Sequence, residues 1–406
     1  MTGTEISPPV SADTPTPQAS QADKSESSST LKIAFVCNPK MGGSGIIATE
    51  LAMALAERGH HVWLLAEKHP FSWRQVSDTL HFLKLEVNDY PVFESAPHTL
   101  ALAGGLANLV EQEGIDVVHA HYAVPYAAAA VFARQICKQP FKLITTLHGT
   151  DVVKLADDPA MHRVIDTVLE QSHRVICVSD DLAQQTHQRF SLKTYPDVIA
   201  NFVPKGKVFN GTREDARNVL GLDQQACYLV HASNFRKIKR IPDIIETFAQ
   251  VRQQKPCQLI LLGEGPEFEP AQAQAKQLGV FEDIIWVGKD PEINRWFAAA
   301  NVNLQLSDYE SFGLTLIESM VQGVPTVAND VGGMPEVVAG TGEIVSVGDT
   351  QAAAAAVLTL MNQQQAAAQA VQQRCIEKAN NHYTSDAVCL AHEVIYDSIL
   401  NTLNES

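Results

Sequence analysis

Apolar residues along this chain fall in short, nearly unbroken runs separated by stretches of helical spacing, and the alternation repeats. Leu31-Lys-Ile-Ala-Phe-Val-Cys37 reads as a strand covered on both faces, as parallel strands are. A glycine-rich turn follows, then an amphipathic helix from about Ile46 to Arg58 that Gly59 ends, then a strand at His61-Val-Trp-Leu-Leu-Ala66. The unit recurs, with strands at 116–121, 142–147 and 174–179, a helix over 127–138, and a helix opened by Asp180-Asp-Leu with an aspartate as N-cap. The pattern pauses around Asn201-Phe-Val-Pro204 and restarts with strands at 227–232, 258–262, 284–287 and 302–306. Such alternation builds doubly wound parallel sheets, which bind ligands at the carboxyl ends of their strands. Two series of this kind, with a boundary near 204–208, predict an α/β protein with a cleft between two copies of one architecture. A last helix is expected at about 385–403. The Ala- and Gln-rich stretch 352–370 predicts a helical surface segment to which no function is assigned.

Composition narrows this picture. The chain has 406 residues, enough for two domains with separate cores. Thirty Lys and Arg against 46 Asp and Glu give a net charge of −16, which weighs against a nucleic-acid binder and against docking on an anionic membrane face. The seven cysteines (Cys37, Cys137, Cys177, Cys227, Cys257, Cys375 and Cys389) form no Cys-x-x-Cys pair. Their scatter fits buried thiols in a reducing compartment better than a disulfide framework or a zinc ribbon. No apolar run has the length of a membrane span. Residues 1–30 carry almost no large apolar side chains, so a disordered tail is expected, without the apolar core of a signal peptide or the arginines of a transit peptide. A cytoplasmic location is the default expectation.

The most informative stretch is Glu310-Ser-Phe-Gly-Leu-Thr-Leu-Ile-Glu318, followed by Gly323-Val-Pro-Thr-Val-Ala and Gly332-Gly-Met-Pro-Glu336. Two carboxylates flank a Ser-Phe-Gly turn that opens a helix, whose free N–H groups and dipole favour an anion. Glu310 and Glu318 are placed to accept hydroxyl hydrogen bonds from one ligand, and hydroxyls with phosphate mean a sugar nucleotide. The plainer alternative is a capped surface helix with solvated glutamates.

This Glu-x7-Glu segment and the Gly-Gly-x-Pro-Glu behind it resemble the donor site of retaining glycosyltransferases of family 4, which have the GT-B fold. Four further segments are similar to a narrower group, the bacillithiol-pathway enzymes that add N-acetylglucosamine to L-malate. They are Asn38-Pro-Lys-Met-Gly-Gly-Ser-Gly45, His119-Ala-His-Tyr-Ala-Val-Pro125, Thr145-Thr-Leu-His-Gly-Thr-Asp151 and Ser233-Asn-Phe-Arg-Lys-Ile-Lys-Arg240. The similarity runs from about Lys32 to about Leu400. It implies an acceptor-side Rossmann-like domain at 31–204, a UDP-sugar-binding one at 205–383, and a C-terminal helix, 384–406, packed back on the first. It implies transfer from UDP-N-acetylglucosamine, a substrate rather than a cofactor, to the hydroxyl of a small acceptor, L-malate first. A homodimer is common among soluble enzymes of this kind.

The resemblance also assigns roles. His148 lies near the donor sugar, Arg236 and Lys239 stabilise the departing diphosphate, Glu310 binds a sugar hydroxyl and Glu318 the ribose. Phe312, Gly313 and Leu314 open the helix that holds sugar and diphosphate. Gly263, Gly265 and Gly288 belong to loops that hold base and ribose through backbone groups, and Gly43 sits in a glycine loop whose backbone approaches the ligand. Ser44, Tyr122 and Thr146 match acceptor contacts. Each has a plainer alternative: a structural histidine at 148, a tight turn at 41–45, a solvated helix-start cluster at 236–240. His119-Ala-His121 offers no third metal ligand, and no metal is expected.

One position departs from the malate-adding pattern. Asp166 stands where an arginine would meet an acceptor carboxylate, and Arg163, three residues earlier, and Lys84 are the candidate replacements. An acceptor other than malate therefore stays open, whether another small hydroxy acid, a phosphate-bearing polyol or a cationic compound. So does UDP-glucose as donor. A glycan- or glycolipid-building family 4 transferase and a non-catalytic sugar-nucleotide binder are the competing classes.

Overall fold

The computed structural model describes residues 30–39, 42–87 and 96–401, so the expected tail and Met41 of the first glycine loop lie outside the described residues. Seven strands form the first sheet: β1 (Lys32–Val36), β2 (His61–Ala66), β3 (Leu80–Lys84), β4 (Val117–His121), β5 (Lys142–Leu147), β6 (Arg174–Cys177) and β7 (Asp197–Val198). Six form the second: β8 (Tyr228–Ala232), β9 (Gln258–Leu262), β10 (Ile284–Gly288), β11 (Val302–Gln305), β12 (Thr326–Asn329) and β13 (Glu343–Val345). All pairings are parallel, in the orders β3-β2-β1-β4-β5-β6-β7 and β10-β9-β8-β11-β12-β13. Central strands such as β1, β4 and β8 are buried on both faces because helices cover both sides, which is why they read as unbroken apolar runs. The weakly patterned strands escaped that reading. β3 is half-exposed at the sheet edge and β7 is two residues long.

The first helix, Gly43–Glu57, starts earlier than the spacing predicts and is not one-sided. Ile47, Ala48, Leu51, Met53 and Leu55 are buried, and so are Thr49 and Glu50: the last helix, Ser385–Asn401, packs against this one, and Arg74 covers Glu50 with two hydrogen bonds at 2.9 Å. Arg58 holds both oxygens of Glu393 on that last helix at 2.6 and 2.7 Å, and His119 Nδ1 meets Tyr396 Oη at 2.8 Å. The stretch expected as surface helix is in fact two helices, Thr350–Met361 and Gln365–His382. The first buries Ala353, Ala354, Val357 and Leu360, with Gln250 of the helix Ile241–Gln254 donating to its Thr350 at 3.1 Å. The chain passes between the domains twice, side by side: Val203 N–H donates to Tyr383 O at 2.9 Å. No described helix is long and apolar enough to cross a membrane.

Candidate active site

In each sheet the strand order reverses once, between β1 and β4 and between β8 and β11. Ligands of open parallel sheets gather at such reversals. The loops leaving β1, β4 and β5 and those leaving β8, β11 and β12 carry most of the residues singled out from the sequence, and the two sets meet.

On the second domain Glu310 is the organising group. Its Oε1 accepts from Gln305 Nε2 and Ser307 Oγ, each at 3.0 Å, and pairs with Lys239 Nζ. The turn bearing Glu310 is pinned from behind, where Gly333 N–H donates to Glu310 O at 2.9 Å. Gly332 there has φ +58°, and a Cβ on it would collide with the Glu310 carbonyl oxygen, so only glycine lets the two loops approach. The basic cluster divides by partner. Arg240 bonds Asp243 at 2.8 Å and Asp308 at 2.9 Å and is structural, whereas Arg236 is exposed and makes no side-chain ion pair among the described residues.

The helix Leu314–Met320 follows. Its Glu318 has no hydrogen-bond partner among the described residues, and burial pushes its carboxyl up to about 7, opposed by nearby Lys207. Phe312 is 3 % exposed and its ring packs edge-on against Tyr383, so any part it takes in the turn is through its backbone. Leu314 bridges the domains, since a Cβ on Gly43 would stand 2.9 Å from its Cδ1. Gly313 is the left-handed residue just before the helix. Gly263, Gly265 and Gly288 close one loop cluster, with Gly263 N–H donating to Gly288 O at 2.7 Å. A Cβ on Gly263 would strike the Ser233 carbonyl oxygen, so this glycine serves loop-to-loop packing whatever it offers a nucleotide.

On the first domain Tyr122 Oη donates to Ser44 Oγ at 2.7 Å, which joins the loops after β1 and β4. Tyr122 has φ 80°, and its turn is held by Asp151 Oδ2, which accepts from Ala123 N–H at 2.7 Å. Burial pushes the Asp151 carboxyl up to about 7. His148 lies tilted against Tyr122 at 5.1 Å between ring centres, and its Nε2 lies 2.9 Å from His121 Nδ1. Burial lowers His148 to about 4, so the ring is neutral near pH 7. Thr146 is 4 % exposed and its hydroxyl lies 2.7 Å from His119 Nε2, so little of its surface is open to an acceptor.

The candidate acceptor cations separate. Lys84 is exposed on edge strand β3, roughly 14 Å from β4 at three strand spacings, and is set aside. Arg163 is exposed in the helix Pro159–Gln171, which touches the turn Ala123–Ala127 beyond Tyr122. Asp166 does not confront a ligand: its Oδ1 accepts from Ser191 N–H at 2.6 Å.

The two domains join directly at the site. Ser311 Oγ donates to His148 O at 2.8 Å, Asp180 N–H to Glu336 Oε2 at 3.0 Å, and Tyr309 Oη to Asp181 Oδ2 at 3.2 Å. Burial raises the Glu336 carboxyl to about 7, with the Asp180 charge adding to it. Sequence spacing does not single out His121, Asp151, Gln305 or Tyr309, because each acquires its role from a partner more than 20 residues away or, for Gln305, from the cage around Glu310. Among the described residues no cluster of three or more His, Cys, Asp or Glu is arranged to hold a metal.

Residues 41–206 match the family model described as Glycosyltransferase Family 4, and residues 212–382 the one described as Glycosyl transferases group 1. The chain is 34% identical over 372 residues to N-acetyl-alpha-D-glucosaminyl L-malate synthase of Bacillus anthracis, covering 91% of this chain and 97% of that protein. Among solved structures it superposes on sucrose-phosphate synthase of Thermosynechococcus elongatus with a TM-score of 0.75 at 21% identity, covering 92% of this chain and 100% of that one. Anabaena HepE in complex with UDP gives a TM-score of 0.75 at 19% identity, covering 91% and 100%.

Proposed function

The chain belongs to family 4 of the glycosyltransferases, with the GT-B fold, and from that premise we propose that it transfers N-acetylglucosamine from UDP-N-acetylglucosamine to the hydroxyl of L-malate, with retention at the anomeric carbon. The observation that carries this reading is the 34% identity to the malate synthase, sustained over nearly the full length of both chains. With its Oδ1 turned to Ser191 N–H, Asp166 has a structural task, which weakens the objection that an aspartate there repels a dicarboxylate. Arg163 is then the acceptor-side cation. UDP in a neighbouring fold supports a uridine nucleotide as donor, and Glu318, without a hydrogen-bond partner among the described residues, is free to take its ribose.

In this reaction the acceptor hydroxyl attacks the face from which UDP departs, and the leaving phosphate takes its proton. Arg236 and Lys239 stabilise the charge that builds on the diphosphate, Glu310 accepts from a sugar hydroxyl, and the protein contributes position and electrostatics. No resident cofactor or metal enters the scheme. Purified protein with UDP-N-acetylglucosamine is expected to release UDP only when L-malate is added. Release with a different small acceptor alone would transfer the proposal to that acceptor, and release with oligosaccharide or lipid acceptors alone would reassign the enzyme to glycan building.

We further propose a homodimer through the outer face of the first domain, where Phe132, Ile136, Met161 and Val164 are exposed on two contacting helices. Sedimentation equilibrium is expected to give twice the 44.2 kDa chain mass, and a monomer at micromolar concentration overturns this.

A further inference from the structure

Behind His148 three further imidazoles follow one another in a row. His392 of the last helix lies 5.5 Å from His119, His119 4.6 Å from His121, and His121 5.2 Å from His148, between ring centres. His121 packs against His119 and against Phe35, whose ring centre is 5.8 Å away, and these two rings are themselves 5.0 Å apart. His119 is fixed in turn through Tyr396 Oη at 2.8 Å and Thr146 Oγ1 at 2.7 Å. These contacts and the 2.9 Å hydrogen bond hold His121 beside His148.

We propose that His121 is a positioning residue: its Nδ1–H, donated to His148 Nε2, fixes the tautomer of His148 that carries the proton on Nδ1, so that His148 meets the ligand as a neutral hydrogen-bond donor. The argument is a count of protons. Between two neutral imidazoles at 2.9 Å a single proton occupies the contact. If His148 supplied it, His121 would have to keep its own proton on Nε2. That atom is buried and without any partner, and an orphaned buried N–H is the rarest and costliest kind of unmet polar group. If His121 supplies it from Nδ1, Nε2 keeps only an unused lone pair. His148 Nε2 is then the acceptor, and its proton must sit on Nδ1.

His148 Nδ1 bonds no described residue and is not among the sealed, unpartnered atoms, so it is open to a ligand. Burial holds both rings below the usual histidine range, which keeps this arrangement neutral around pH 7. The ligand atom it selects is an oxygen lone pair, from a sugar hydroxyl or a phosphate. This inference rests on the reading of the cleft as the transferase site, and it links that site to the C-terminal helix, since Tyr396 and His392 close the row.

The direct test is the tautomer of His148 in the unmodified protein, read from two-bond 1H–15N correlations of 15N-histidine-labelled enzyme, with the resonance assigned by its loss in H148Q. A protonated Nδ1 and a bare Nε2 are expected, and the opposite pattern overturns the proposal whatever the activity. Two variants supply the kinetic arm. H121N places an amide N–H where Nδ1–H stands and is expected to keep kcat near that of the parent. H121L donates nothing and is expected to lose about ten- to hundredfold in kcat, the usual effect of releasing an oriented histidine. Equal losses in both variants would mean that His121 only fills space. Absence of UDP release by the parent enzyme would sink the proposed function, while the tautomer would still decide this inference.

Discussion

Lys239→Ala is expected to lower kcat by roughly 10²–10³, about 3–4 kcal/mol in the barrier, the range for removing one preorganised charge-stabilising group. Lys239 lies just beyond β8, where the strand order reverses, and its ammonium is already immobilised against Glu310 Oε1. Both side chains are largely shielded, at 14% and 16% exposure, so the charge acts at reduced dielectric and without a search through rotamers. When a diphosphate enters, negative charge appears beside a cation whose ordering cost was met on folding. Arg240, the neighbouring residue, is the internal control. Its guanidinium is committed to Asp243 and Asp308, so Arg240→Ala is expected to lower the melting temperature and to leave kcat within a few-fold. Steady-state UDP release and thermal melts on the two variants separate the cases. A Lys239→Ala enzyme with nearly normal kcat would transfer the role to exposed Arg236.

Part of this site is legible in the sequence, for a physical reason. Parallel strands announce themselves as apolar runs and loops follow their carboxyl ends, which puts Gly43, Ser44, Tyr122, His148, Lys239 and Glu310 on strand-end loops, whereas the two reversals of strand order that bring those loops together appear only in the folded chain. Side-chain direction is another matter. Phe312 stands inside the most diagnostic motif, yet its ring turns into the core against Tyr383, 71 residues later in the chain. Thr146 and Asp166 sit where ligand contacts were expected, but each is taken by a partner, His119 or Ser191, that only the folded chain brings near. The first helix looks one-sided until the last helix, more than 300 residues on, covers its outer face. Lys84 is excluded by the lateral order of strands, which periodicity does not encode.

Glu318 carries the second large effect, and it couples stability to binding. Its carboxyl has no hydrogen-bond partner among the described residues and is raised by burial from 4.5 to about 7, against the pull of nearby Lys207. A raised folded-state value means that the folded protein keeps a proton which the unfolded chain gives up. The stabilisation from that proton is therefore complete below about pH 4.5 and is lost as pH rises through about 7. Above that point the unliganded enzyme carries a costly carboxylate that Lys207 compensates only in part. Glu318→Gln removes this cost, so the variant is expected to melt higher than the parent at alkaline pH and at the same temperature near pH 4.5. Binding runs in the opposite direction. Ribose hydroxyls donate best to the ionised form, and losing hydrogen bonds to a charged acceptor at about 1.5–3 kcal/mol each predicts a donor KM raised roughly ten- to hundredfold. In the parent enzyme the donor KM is expected to climb as pH falls below about 7, by up to about tenfold per unit while binding requires the carboxylate. In Glu318→Gln that slope disappears. Measuring donor KM and melting temperature for both proteins between about pH 5.5 and 8.5 tests the coupling. An unchanged KM with a raised melting point would mean that the carboxylate meets no donor hydroxyl. A lowered melting point at alkaline pH would mean that Glu318 is already compensated in the free enzyme.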